Sequence, residues 1–446
     1  MNKVLTKKIS YSICFCCLSG LAVFSSLMSA KSMSFLQKLL LLLMIVFAIA
    51  SNYDYSKILI NKKIPRFYVS WLLFLVFVLY GVTMNFFGSS RIICCVLLAL
   101  LLCRDTSWIE IMKKCVMFFT GINVLGTYFF LLFPQYYPKM IELYGYIPSG
   151  TSKGEAGYRA GIANHYSQNG IYISVFFLIL ITLMMARFKK DKKFLANNKI
   201  LIASVFVTLA ALLLTGKRGV LIWSIIAVTV TYMVSDKFKV STIVRFILIV
   251  AVVTLSMYLL SFKIPAITYV FSRFQKAGED NASLERFEMW KMAIEKFKDN
   301  PIFGNGFWKF RQYYSESDLS KIYHHNDERY QNLNAHNVYL QLLCETGVVG
   351  LALYLTALGS VLTRTVILVR NMKPDVPESY RFGAMLSMNI QIFYIIYSMT
   401  GNCLYDMVFY FYAVALALTM CLSYRSSKSQ FKKPSKKYNL GRKHLI

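Results

Sequence analysis

Long apolar runs alternate with short basic segments along most of the chain, and two polar stretches break the rhythm. Apolar runs lie near 9–30, 35–52, 67–87, 90–103, 115–133, 165–186, 200–215, 219–235, 243–262, 338–362, 382–401 and 403–422. Most have the roughly 17 to 25 residues that a helix needs to cross a hydrocarbon layer. In lipid an isolated span must satisfy its own backbone, and an uninterrupted apolar run does so as a helix. The pattern predicts an all-α fold, a polytopic transmembrane helix bundle of about 12 spans. The breaks are residues 134–164 and 263–336. Within the longer one, Leu284, Phe287, Trp290, Ile294 and Phe297 recur at three- and four-residue spacing, the period of an amphipathic helix. Asp280 and Asn281 can cap its start, and Asn300-Pro301 with Gly304-Asn305-Gly306 stops it.

These breaks divide the chain. Residues 1–262 hold about nine spans and the outer loop 134–164. Residues 263–336 form a large extracytoplasmic loop carrying the amphipathic helix. Residues 337–422 hold about three further spans, and 423–446 is a basic tail.

Composition supports the membrane reading: of 446 residues 57% are apolar, more than one soluble core hides. The net charge of +29 raises nucleic acid as a partner, but a nucleic-acid binder gathers its Lys and Arg on one soluble face. Here they are dispersed among the spans, as the positive-inside rule requires, so nucleic acid is excluded. With the N-terminus inside, the clusters Lys57/Lys62/Lys63/Arg66, Lys113/Lys114, Arg187/Lys189/Lys190/Lys192/Lys193, Lys237/Lys239 and Arg364/Arg370/Lys373/Arg381 all fall in the cytoplasm. The tail from Arg425 to Lys443 joins them, so both termini are cytoplasmic. The 263–336 loop, with 11 Lys and Arg against 10 Asp and Glu, is nearly neutral and external. Met1–Lys8 is a basic leader, and the run Ile9–Ala30 has no small-x-small cleavage site, so it reads as a first span. None of the ten cysteines lies in either polar loop, and Cys14, Cys16 and Cys17 lack zinc-site spacing.

Candidate chemistry collects on the outer side. His336 precedes an apolar helix and follows a polar loop, and imidazole is the side chain best suited to take and return a proton near neutrality. Lys217 and Arg218 occupy a turn of a few residues on the side that ordinarily lacks positive charge. Cations held near hydrocarbon are costly and call for an anionic partner. Arg159 and Arg286 fall on the same side. Guanidinium offers paired donors to a phosphate and lysine a compact charge. For each of these cations the alternative is a snorkelling side chain at lipid headgroups, and for His336 a hydrogen-bonded cap. His165 lies beside the Arg159 element and suits either sugar contact or capping. His324 and His325 are adjacent, poor geometry for one metal, and read as a solvated loop. Glu345 reads as a structural carboxylate inside a span, and Tyr313, Tyr314, Tyr323 and Tyr330 can stack on sugar rings.

The run Asn334-Ala335-His336-Asn337-Val338-Tyr339-Leu340, followed by Glu345-Thr346-Gly347-Val348-Val349-Gly350, resembles the signature of the O-antigen ligase and Wzy-type polysaccharide polymerase family. Arg159-Ala160-Gly161, Thr215-Gly216-Lys217-Arg218, Arg286-Phe287-Glu288-Met289-Trp290 and Asn300-Pro301-Ile302-Phe303-Gly304-Asn305-Gly306 extend the likeness in the family's order. Lys217 replaces a small hydroxylated residue, and no Asn-Pro follows Arg159. The resemblance implies a glycosyltransferase without metal or other cofactor in the bacterial cytoplasmic membrane, its active site on the outer face. Its partners would be a polyprenyl-diphosphate-linked oligosaccharide, an acceptor glycan and membrane lipid, with a chain-length regulator and a flippase. His336 and Arg286 would be catalytic, His336 as the base, and Arg159, Lys217, Arg218 and Asn337 would bind substrate. Polymerisation of lipid-linked repeats is preferred to ligation onto another acceptor, since nothing marks a dedicated lipid-core acceptor. The rival from another class is a twelve-span transporter or flippase of lipid-linked sugars, against which stands the lack of paired halves.

Overall fold

The computed structural model describes residues 3–28, 34–51, 65–144, 156–163, 165–188, 193–237, 281–324, 332–373 and 375–431, with the isolated positions 239, 241, 259 and 262. Among these residues the fold is all-helical. In chain order the main helices are α1 Lys3–Met28, α2 Ser34–Ser51, α3 Arg66–Tyr80, α4 Phe86–Leu101, α5 Trp108–Leu132, α6 Tyr166–Phe188, α7 Lys199–Leu214 and α8 Arg218–Ser235. Then come α9 Asn281–Asp299, α10 Lys309–Glu316, α11 Val338–Arg370, α12 Glu378–Tyr397 and α13 Val408–Phe431. Each apolar run of the sequence coincides with a helix except 243–262, of which all but positions 259 and 262 lie outside the described residues. Val4–Phe24, Trp108–Leu132, Tyr166–Phe188, Arg218–Ser235 and Val338–Arg370 are long and apolar enough to cross a membrane, and shorter apolar helices accompany them. The chain is a multi-pass helical membrane protein.

Helix α12 is the hub, buried on all sides from Arg381 to Tyr394. Full enclosure lets it carry polar side chains, because neighbouring helices satisfy them. Asn389 donates to Thr182 Oγ1 at 2.8 Å, and Gln391 donates to Thr365 Oγ1 at 2.7 Å and Ser387 Oγ at 2.9 Å. Hydrogen bonds of this kind fix helix register in lipid, each worth about 0.6 kcal/mol on average.

The loops divide between two ends of the bundle. One end is tied by ion pairs, Lys7 with Asp105 at 2.8 Å and Arg187 with Glu378 at 2.9 Å. The other end gathers the α3–α4 turn, the residues before α6, the α7–α8 turn, the segment 300–337 and the α12–α13 loop. There an aromatic floor of Trp71, Phe74, Tyr354, Phe307 and Tyr405 joins the bundle to the loop residues above it. Trp308 locks the joint: its φ is +74°, and its indole donates to Ser89 Oγ at 2.9 Å. Gly88 is the residue that admits this ring, since a Cβ there would lie 2.3 Å from the indole. Gly88→Ala is therefore expected to lower thermal stability by about 1–3 kcal/mol, the cost of overpacking. A detergent melting curve checks this, and an unchanged midpoint would contradict it.

Helix α9 ends at Asp299 before Asn300-Pro301, as its stop signal predicts. Its buried face differs from the one the apolar spacing predicts. Leu284 is 45% exposed and Phe287 53% exposed, and Ile294 also faces outward. Glu285, Met289 and Ala293 turn inward, Met289 and Ala293 sharing a core with Phe310, Tyr314, Ala335 and Cys344. The physical reason is close approach: small and adaptable residues fit against α11, and the inward carboxylate of Glu285 accepts from Tyr314 Oη at 2.8 Å.

Candidate active site

The sequence elements 300–306 and 345–350 meet at one place. Helix α11 is broken at Gly347, whose φ is +62° and whose missing Cβ would lie 2.3 Å from Ile302 O. The break frees the carbonyls of Cys344 and Glu345, which accept from Asn305 N at 3.0 Å and Gly306 N at 2.8 Å. In return Val348 N donates to Pro301 O at 2.9 Å. Gly304 allows the same approach from the loop side, with φ +76° and Glu345 O 2.4 Å from an ideal Cβ. Much of the glycine pattern is thus a backbone knot that fixes the loop against the first turns of α11.

The knot and two side chains define the place of His336. Asn337 caps α11, its Oδ1 accepting from the backbone of Tyr339 and Leu340 at 3.1 Å each. Any ligand contact by Asn337 then falls to its Nδ2. Trp290 Nε1 of α9 donates to Ala335 O at 2.9 Å, and Gln341 Oε1 accepts from Ala335 N at 3.0 Å. Held from both sides, His336 takes a left-handed conformation, φ +53°. Its N–H donates to Asn402 Oδ1 at 2.9 Å, and Asn402 Nδ2 lies 3.3 Å from His336 Nδ1. A left-handed non-glycine held by this many contacts is characteristic of a functional position.

Around His336 the structure collects positive charge from distant parts of the chain. Burial, reinforced by Arg286, Lys217 and His165, pushes the His336 pKa well below its ordinary value. His165 is pushed down to about 3 by burial, Lys217 and Arg159. Both rings are therefore neutral at neutral pH. Arg159 is buried, its Nε donating to Thr215 O at 3.4 Å. Its guanidinium lies 5.0 Å from the centre of the Tyr166 ring, and Lys217 Nζ lies 5.6 Å from that centre. Tyr166 also stacks on His165 at 4.7 Å. One aromatic ring thus brings two cations together that their mutual repulsion would separate.

A second group of charges lies at the same end of the bundle. Asp406, in the α12–α13 loop, is opposed by Arg91, Arg311 and Lys217, while burial raises its pKa. Arg91 is buried and donates to Leu404 O at 3.1 Å. Glu345 is fully buried and accepts from Phe310 N at 3.2 Å, Gln341 Nε2 at 3.0 Å and Tyr405 Oη at 2.7 Å. It is committed to holding the loop, in line with its reading as a structural carboxylate.

Of the residues singled out from sequence, Arg159, Lys217, Arg286 and His336 come together. Arg218 is placed differently: it is half-buried at the first position of α8, and among the described residues its guanidinium makes no hydrogen bond, ion pair or ring contact. The left-handed Gly216, φ +68°, turns the chain so that Lys217 faces Tyr166. Lys217→Ala is therefore expected to weaken anion binding at this cluster more than Arg218→Ala. Affinity for inorganic diphosphate measured in the two variants checks this, and equal affinities would contradict it. His324 is not merely solvated, since it meets Glu285 Oε1 at 2.9 Å; His325 and Tyr330 lie outside the described residues. Sequence reasoning missed Tyr166, Asn402 and Asp406. The signal for Tyr166 was its adjacency to His165 in the Arg159 element; Asn402 and Asp406 had none beyond polarity between two apolar runs.

The family model described as O-antigen ligase matches residues 202–355. That is the family the sequence motifs resemble, and the matched stretch contains Lys217, Arg218, Arg286, His336 and Asn337. Arg159, His165, Asn402 and Asp406 lie outside it. No curated protein matches the chain.

Proposed function

From the match of residues 202–355 to a family model described as O-antigen ligase, we propose that the chain transfers a glycan from a polyprenyl-diphosphate donor to a sugar hydroxyl. The observation that supports this reading is the gathering of cations around two histidines at one end of a membrane bundle, Arg286 and Lys217 by His336, and Lys217 and Arg159 by His165 and Tyr166. Concentrated positive charge near hydrocarbon needs a polyanion, and a lipid diphosphate brings one to that depth. The acceptor oxygen attacks the anomeric carbon, the bond from that carbon to the phosphate oxygen breaks, and its electron pair leaves with the diphosphate. Fixed cations stabilise the charge that grows on the leaving group. The hydroxyl's proton passes to a base within the site.

Polymerisation of single repeats is the preferred form, with ligation to another acceptor second. Cells lacking the protein are expected to accumulate lipid-linked single repeats and to lose long surface glycan. Accumulation of lipid-linked polymer instead would assign ligation, and an unchanged glycan profile would reject both. The charge asymmetry of the loops supports a site outside the cell. A cysteine at the exposed position Asp318 is then expected to react with an impermeant reagent in intact cells, and one at Lys373 to be protected. The opposite labelling would reverse the sidedness.

A further inference from the structure

Arg91 is the one charged residue of α4 and is 2% exposed, yet no step of the proposed transfer uses it. A cation inside a span is costly to insert, so its contacts must offset the cost. Those contacts run to one place, the loop between α12 and α13: Nη2 donates to Leu404 O at 3.1 Å, and Nη1 lies 3.6 Å from Met407 Sδ. The loop opens with a tight turn, closed by Tyr405 N donating to Asn402 O at 2.8 Å. Arg91 therefore grips the turn that begins at Asn402, the residue whose Oδ1 accepts from the His336 N–H at 2.9 Å. Just before the turn, Ser398 O accepts from Val338 N at 2.9 Å. Helix α4 reaches the same turn a second time, from Ser89. Ser89 holds the Trp308 indole, whose ring meets Tyr405 edge-on at 5.0 Å, and Tyr405 Oη donates to Glu345 of α11. A chain of direct contacts thus runs from inside α4 to the backbone of His336. The left-handed conformation of His336, φ +53°, is a strained one that lasts only while its surroundings hold it.

We propose that Arg91 is a positioning residue: it holds the turn that begins at Asn402 so that Asn402 keeps the His336 backbone in its left-handed conformation. This rests on the glycosyl-transfer reading above, with His336 at the reacting centre. The shape of the guanidinium matters as much as its charge, because a carbonyl and a thioether three residues apart need two donors in fixed directions. Lysine keeps the charge but offers one compact ammonium, which cannot hold both.

The test compares Arg91→Lys with wild type, using full-length protein in proteoliposomes, by turnover, binding of inorganic diphosphate and peptide-resolved backbone hydrogen exchange. Arg91→Lys is expected to lose about 10–10²-fold in turnover, since a small misplacement at the reacting centre is felt in rate. Affinity for inorganic diphosphate is expected to hold, because Arg159, Lys217 and Arg286 sit on other elements. Exchange is expected to quicken about tenfold at 334–338 and 398–407, the effect of a lost hydrogen bond to a charged group, and to stay at the wild-type rate in α6. Combining Arg91→Lys with Asn402→Ala is expected to cost no more than about twofold beyond the worse single change, because both cut the same tether. Full turnover in Arg91→Lys, unchanged exchange at 334–338, or losses that multiply in the double variant would each overturn the proposal. Exchange that quickens equally in every helix would make Arg91 a packing residue and overturn it too. Should Arg91→Lys fail to fold, Asn402→Ala cuts the tether with Arg91 in place, and its full turnover would be decisive against the proposal. Wild-type protein that transfers no glycan would sink the functional reading instead, and the exchange rates at 334–338 would still decide the tether.

Discussion

Arg286→Lys is expected to lower turnover about 10²-fold or more although it keeps the charge, because paired guanidinium contacts to a phosphate are geometric as well as electrostatic. Arg286 lies on α9 and acts electrostatically on both His336 and Tyr397, which makes it part of the charge cluster. Negative charge on the departing diphosphate grows toward the transition state, so the loss falls on turnover as well as on donor affinity. The same change at Arg218 is expected to cost little, since that guanidinium has no fixed geometry toward the cluster. Turnover at saturating donor, with membrane levels matched, checks the pair. Full turnover in Arg286→Lys would reduce Arg286 to a point charge.

Gly347→Ala is expected to remove most of the folded protein. A side chain at φ +62° carries strain of roughly 1–3 kcal/mol. The larger effect is overlap with atoms that cannot turn away, since Ile302 O would lie 2.3 Å and Gly304 N 2.7 Å from the new carbon. Relief requires the 300–306 loop to leave α11, which strands the carbonyls of Cys344 and Glu345 and releases the chain leading to His336. Size-exclusion profiles of the detergent-extracted variant check this. A sharp wild-type peak at wild-type yield would show that the knot is not needed. Gly350 is confined as well, since an added carbon there would lie 2.3 Å from the Thr346 side chain one turn earlier in α11.

The positions of the spans were legible because lipid imposes one requirement on every run, and length with hydropathy reads it directly. The stop of α9 was legible for a similar reason, since Asn300-Pro301 acts through local backbone chemistry. Its buried face was not, because the choice between Leu284/Phe287 and Met289/Ala293 is made by how closely α11 approaches. Positive charge was legible as charge, and three of the four cations singled out do converge. Which of Lys217 and Arg218 faces the cluster depends on the handedness of Gly216, a dihedral angle with no signature in composition. Asn402 was hidden for a further reason: it meets His336 from 66 residues away in sequence, and a carboxamide between apolar helices looks like any loop residue.

The measurement that bears most directly on the account is a reaction with purified protein in proteoliposomes, supplied with polyprenyl-diphosphate-linked repeat units and acceptor glycan. Glycosyl transfer predicts that free polyprenyl diphosphate appears in step with a lengthened or newly linked glycan, and that both disappear in Arg286→Ala. Lipid-linked repeats that merely change leaflet, with no new glycosidic bond and no released diphosphate lipid, would contradict it and make the chain a transporter.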